Sequence, residues 1–147
     1  MIKWSRWVSI IAHLPDDRVI LTKRIYNLYD TVDNWSVSFN TLLKTNEDPL
    51  AGAGEIFRDI FNIDTASYSD SDVEITRLKP ILLGRTMTKI SVFLTEFKKS
   101  TSFRVNKDMM VIAKPADEVN HLIAVKPAFF SFISEQVIRD LMLREDF

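Results

Sequence analysis

WSVSFNTLLKTNEDPLAGAGEIFRDIFNI, residues 35–63, holds a strand, a loop and a capped helix in one run. Residues 35–39 alternate, with Trp35, Val37 and Phe39 on one face of a strand and Ser36 and Ser38 on the other. Asp48-Pro49 then starts a helix. The Asp48 carboxylate can take free N–H groups of the first turn, and Pro49 places its ring where no N–H is needed. Leu50, Ala53, Phe57 and Phe61 recur at helical spacing as one apolar stripe. Asn62 suits the left-handed position that closes a helix. The spacing predicts a helix over residues 49–61.

Upstream, the apolar run at residues 7–14, the turn Pro15-Asp16-Asp17 and the alternating residues 18–25 read as a β-hairpin, followed by a polar, aromatic loop at 26–34. Downstream, residues 64–72 (DTASYSDSD) read as a solvated loop. Residues 73–83 hold a strand interrupted near Pro80, which suits an edge or a bend. Gly84 to Thr86 turn, and KISVFLTEF at 89–97 is a long strand. A turn at 98–102, a short strand at 103–105 and an apolar run at 109–113 follow. Residues 117–125 (DEVNHLIAV) read as one more strand or the lead-in to one. Pro127 breaks the chain, and a last helix starts at Ser134 with Val137, Ile138, Leu141 and Met142 as its apolar face.

A chain of 147 residues, 46% hydrophobic and 27% charged, is sized and composed as one globular domain spanning residues 1–147. A net charge of −1, with no basic run beyond Lys98-Lys99, gives no electrostatic case for nucleic acid. The absence of cysteine excludes disulfides, thiolate catalysis and cysteine metal sites. The tryptophan-bearing N-terminal stretch does not read as a signal peptide, and no apolar run approaches the roughly 20 residues of a membrane span. The expected location is cytoplasmic, with no membrane partner.

The order hairpin, strand, loop, helix, long strand, acidic strand and terminal helix resembles the Nudix hydrolase family over nearly the whole chain. The pieces that carry it are WVSIIAHL and RVILTKR, Trp35, the helix after Asp48-Pro49, and DEVNHLIAVKP. The resemblance implies a Nudix-like α/β/α sandwich with a mixed, largely antiparallel sheet. The family signature runs Gly, five free residues, Glu, seven free, Arg-Glu, apolar, one free, Glu-Glu, one free, Gly, apolar. Laid on without gaps so that it ends at Ile63, it puts Glu47 on the first Glu and Phe57 on the apolar position. Glu55-Ile56 then falls on Arg-Glu, Asp59-Ile60 on Glu-Glu, and Thr41 and Asn62 on the two glycines. In the family the helix carboxylates hold magnesium, which neutralises a diphosphate and activates water. Here Asp59 alone remains of three, with Ile56 and Ile60 at the other two positions. One carboxylate makes a poor magnesium site. A register one residue earlier aligns Glu55 and Asp59 with ligand positions, four apart on one helix face. It costs the apolar end and exchanges Glu47 for Asn46.

Two functions of different class follow. The first is a catalytically degenerate Nudix-fold module that binds a partner protein, or a second copy of itself, through the helix, or else a nucleotide-like ligand. Ile56 and Ile60 are its candidate interface residues, and Glu47, Trp35 and Glu118 its candidate ligand contacts. It needs no cofactor. The second is a divergent magnesium-dependent hydrolase of a nucleoside diphosphate derivative, with Glu55 and Asp59 as catalytic and metal-ligand candidates. The balance leans away from an enzyme. Each residue also has a plainer use: Glu55 and Asp59 as solvated helix charges, Ile56 and Ile60 as cover for the domain's own core, and Asp117 and Glu118 as strand-lead residues. His13 and His121 read as single structural residues on apolar strands. Trp4, Trp7, Tyr26, Tyr29 and Trp35 would fill core or cover edges, or stack on a base.

Overall fold

A turn residue in a left-handed conformation, Asp17 (φ 63°), joins strands β1 (Ser5–His13) and β2 (Arg18–Arg24) into the predicted hairpin. The structure, a computed structural model, describes residues 3–24, 34–61, 73–99 and 109–143. The two hairpin strands pair near the turn, with His13 opposite Val19, and then diverge. The next segment enters the gap. Strand β3 (Ser36–Val37) pairs with β2, and strand β4 (Phe39–Leu42) pairs with β1, both antiparallel.

Ser38 makes the crossing from one partner to the other. Its φ is 26°, and its buried Oγ accepts the N–H of Ala12 on β1 at 2.7 Å and donates to the Ile20 carbonyl on β2 at 2.8 Å. The Ser38 N–H also reaches the Ile20 carbonyl, and Thr22 Oγ1 donates to the Ser38 carbonyl. This bend defeats the simple alternation read from residues 35–39. Trp35 and Val37 pack into one core cluster and Phe39 into the other, on the opposite face of the sheet.

Among the described residues the sheet has eight strands and is completed on both sides. Strand β7 (Thr88–Phe97) runs parallel to β1, from Ser5 beside Thr88 to His13 beside Glu96. Strands β5 (Val73–Arg77) and β6 (Ile81–Leu83) both pair antiparallel with β7, so the interruption predicted near Pro80 separates two pieces of one edge. Strand β8 (Met109–Pro115) pairs antiparallel with β2 along its whole length.

Helix α1 (Pro49–Phe61) matches the predicted span and lies on one face, burying Ala53 and Phe57 against Val8, Ile10, Ala12, Ile20, Phe93 and Phe97. Leu50, expected in that stripe, is 41% exposed and lies outside the buried cluster. The other face carries α2 (Ala116–Val125) and α3 (Phe132–Leu143), joined by a 3₁₀ turn at Pro127–Phe129. The fold is therefore an α/β sandwich with a mixed, largely antiparallel sheet.

Two expectations are corrected by the helices. Residues 117–125 form a helix and no strand: Ala116, Val119 and Ile123 are buried at helical spacing, and Asp117 and Glu118 occupy the first turn, where acids suit the helix dipole. His121 is accordingly exposed on α2 and not on a strand. The last helix starts at Phe132, two residues before Ser134, with the Glu135 N–H bonded to the Ser131 carbonyl. The loops expected at 64–72 and 26–33, the strand at 103–105 and the closing Asn62 lie outside the described residues.

Removing the Ser38 hydroxyl leaves a buried N–H without its acceptor. Ser38→Ala is expected to lower stability by about 1–3 kcal/mol, read as a lower urea midpoint at unchanged slope. Phe57→Ala empties the interface between α1 and the sheet and is expected to cost about 3–5 kcal/mol. A Ser38→Ala change within about 0.5 kcal/mol of wild type, the range of inert surface substitutions, would remove Ser38 from the central role given to it.

Candidate functional site

The region singled out by the signature is α1 and the loop that feeds it. Leu43 is buried at the end of β4, its N–H bonded to the Arg6 carbonyl. The chain then turns through Asn46, whose φ is 64°. Asp48 acts as the cap: its Oδ1 accepts the N–H of Leu50 at 3.2 Å, and its carbonyl accepts that of Gly52 at 3.1 Å. Gly52 permits the helix to sit close, since a Cβ there would stand 2.6 Å from Leu43 Cδ2.

Glu47 is occupied within this loop. It is half-buried, its Oε1 accepts the Lys44 N–H at 3.0 Å, and its own N–H returns to the Lys44 carbonyl. Arg6 Nη2 donates to the Glu47 carbonyl and ties the loop to β1. Glu55 and Asp59 lie one turn apart on α1 and are exposed. Ile56 and Ile60 are half-buried and pack against the core cluster beneath α1. Their apolar surface is thus partly spent inside the domain.

No three of the His, Asp and Glu side chains among the described residues come together so as to hold a metal ion. Magnesium requires near-octahedral oxygen ligation. Glu55 and Asp59, without a third convergent acid among the described residues, do not fit that requirement.

The remaining candidates sit in the other helical layer. Trp35 packs into the cluster beneath α2 and α3, its N–H bonded to the Phe129 carbonyl and its carbonyl taking the Ser131 N–H, both at 2.9 Å. Its ring lies nearly parallel to Phe129 at 6.2 Å, and Lys23 Nζ stands 5.6 Å from the ring centre. Glu118, on the first turn of α2, pairs with Lys114 Nζ at 3.0 Å. His13 contacts Asp17 Oδ1 through Nε2 at 2.8 Å. Trp7 packs against the α2–α3 core and Trp4 is 40% exposed. The sheet therefore stands between Trp35 and Glu118 on one side and Glu47, Glu55 and Asp59 on the other.

A polar cluster under the start of α3 escaped sequence reasoning. Buried Ser134 accepts the Val37 N–H and Asn40 Nδ2, each at 2.9 Å, and its Oγ lies 3.0 Å from Ser131 Oγ. Ser36 Oγ is 3.4 Å from Ser131 Oγ, and Asn34 Nδ2 donates to the carbonyls of Ala128 and Phe130. These partners are more than ninety residues apart in sequence. The available signal was a polar residue at an inward strand position, as at Ser9 and Asn40.

No family model matches the chain, and no curated protein sequence matches it. Among solved structures, one similar chain is the crystal structure of DR0079 from Deinococcus radiodurans, at 12% identity and a TM-score of 0.70. The alignment covers 95% of this chain and 85% of that one. At that identity the likeness shows the shared fold alone.

Proposed function

We propose that this chain is a catalytically silent module of Nudix type that binds through α1, its ligand being a partner protein or a second copy of the chain. The observation that carries the reading is the state of the carboxylates around the helix. Glu47 closes its own loop, Glu55 and Asp59 face solvent, and no third acid among the described residues joins them. Hydrolysis of a diphosphate needs charge neutralisation and an activated water held in fixed geometry, and this donor set supports neither. A nucleotide-like ligand is the weaker alternative, because Trp35 and Glu118 lie in the layer opposite Glu47. No helix among the described residues is long and apolar enough to cross a membrane, and the cytoplasm is the location we assign on the cysteine-free composition.

Incubation with magnesium and a panel of nucleoside diphosphate derivatives should yield no nucleoside monophosphate above the protein-free blank. Asp59→Ala should behave as wild type, with stability within about 0.5 kcal/mol, as for an exposed position. Turnover by wild type that disappears in Asp59→Ala would establish the divergent hydrolase instead. Docking is read separately, by sedimentation of the pure chain over a concentration series and by calorimetry with any candidate partner. Ile56→Asp combined with Ile60→Asp should weaken association. Because both isoleucines also touch the core, the exposed pair Glu55→Arg with Asp59→Arg serves as the second variant and should weaken association at unchanged melting temperature. Association that neither pair alters would remove α1 as the docking element.

A further inference from the structure

Two buried polar atoms near the N-terminal turn of α3 have no hydrogen-bond partner among the described residues: Ser9 Oγ and Asn40 Oδ1. Their placement is not scattered. Ser9 and Asn40 are directly opposed residues of the antiparallel β1–β4 pair. Both point to the α2–α3 side, since Val8, Ile10 and Phe39, their strand neighbours, pack on the α1 side. Ser9 is fully buried, and Asn40 Nδ2 reaches Ser134 in the first turn of α3.

We propose that Ser9 and Asn40 form the walls of an internal site for one water molecule, which links β1 and β4 to the start of α3. The hydroxyl of Ser9 donates to the water or accepts from it, and the water donates to Asn40 Oδ1. Two oxygens bridged by one water stand roughly 4.5–5.5 Å apart when each bond is about 2.8 Å. Directly opposed antiparallel residues have Cβ atoms separated by the same span. Ser134 fixes which end of the Asn40 amide faces the site. Ser134 Oγ accepts Asn40 Nδ2 and the Val37 N–H, each at 2.9 Å, and Ser131 Oγ also donates to it at 3.0 Å, so the amide nitrogen is turned to α3 and the amide oxygen away from it.

The chemistry selects water over an ion. Ser9, its strand partner Asn40 and the Ser134 bonded to Asn40 are all uncharged, so an ion would gain no counter-charge from them. An anion would meet the amide oxygen, and two oxygen ligands are too few for a hard divalent cation. Water serves as donor and acceptor at once, which both partners require.

A crystal structure of the full chain at a resolution that orders internal water should show a peak within about 3.2 Å of both Ser9 Oγ and Asn40 Oδ1. Water-oxygen magnetic relaxation dispersion on the same protein should count one long-lived internal water fewer in Ser9→Val, whose extra methyl occupies the site. Should Ser9→Val fail to fold, Ser9→Ala keeps the space and should retain the peak at Asn40 with a shorter water residence time. A wild-type structure with Ser9 Oγ bonded directly to Asn40 or to a backbone carbonyl, and no peak between them, would overturn the proposal. An unchanged dispersion amplitude in a folded Ser9→Val protein would do the same.

Discussion

Ser38 resolves a conflict between two strands that start as a hairpin and end apart. Where β1 and β2 separate, the Ala12 N–H faces a gap that no strand backbone fills, and an unpaired buried N–H is costly, while the Ile20 carbonyl takes the Ser38 N–H as well as its hydroxyl. One serine hydroxyl supplies the acceptor for the first and the donor for the second. The same residue adopts positive φ, which turns the chain from β2 to β1 and exchanges the faces of the flanking side chains. Val37 therefore belongs to the core under α2 and α3, and Phe39 to the core under α1. The two layers of the sandwich are linked at this residue. The direction in which β4 delivers the chain to Leu43 and α1 follows from it.

The parts legible in the sequence were those whose determinants are local. Asp48, Pro49 and the Ala53–Phe57 spacing fix α1 within its own residues, and the observed cap bond from Leu50 to Asp48 is the contact that spacing implies. Pro80 splits an edge strand because the residue lacks an N–H, wherever the strand pairs. The misread parts depended on distant partners. Residues 117–125 contain Val119, Ile123 and Val125, β-branched residues that fit a strand by composition. Their helical state is selected by tertiary contacts: the Ala116 N–H bonds the Asp17 carbonyl in the hairpin turn, and Ile123 is buried in the α2–α3 cluster. Ser38 could not be distinguished from Ser36 by pattern, because its role lies in two bonds to strands eighteen and twenty-six residues away.

The candidate site shows the same division. The positions of Glu55, Ile56, Asp59 and Ile60 on one helix were readable from the sequence, because helical geometry alone sets them. Their environments were not. Ile56 and Ile60 rest on a cluster whose members, Val8 and Phe93 among them, come from separate strands. Glu47 is held by Lys44 and its loop, a contact that requires the turn at Asn46. Trp35 and Glu118 were grouped with these acids by family analogy, and the sheet intervenes between them.

Under the proposed reading, the isoleucines have a physical consequence beyond the loss of metal ligands. An acid at the edge of a helix–sheet contact must keep its carboxylate in water, whereas isoleucine can lean onto the apolar cluster. Burial of about half an isoleucine side chain is worth on the order of 1 kcal/mol. Two such positions on one helix face add stability at the place where an ion site would require exposed, mutually repelling carboxylates. Sites that hold several like charges are destabilising to the scaffold that carries them, and their replacement by packed residues commonly stabilises a fold at the expense of activity. The scaffold therefore does not depend on the acids. The sheet, the Ser38 crossing and the Phe57 contact hold α1 in place whatever its outer face presents, which is why a shared architecture at 12% identity leaves the chemistry of that face undetermined.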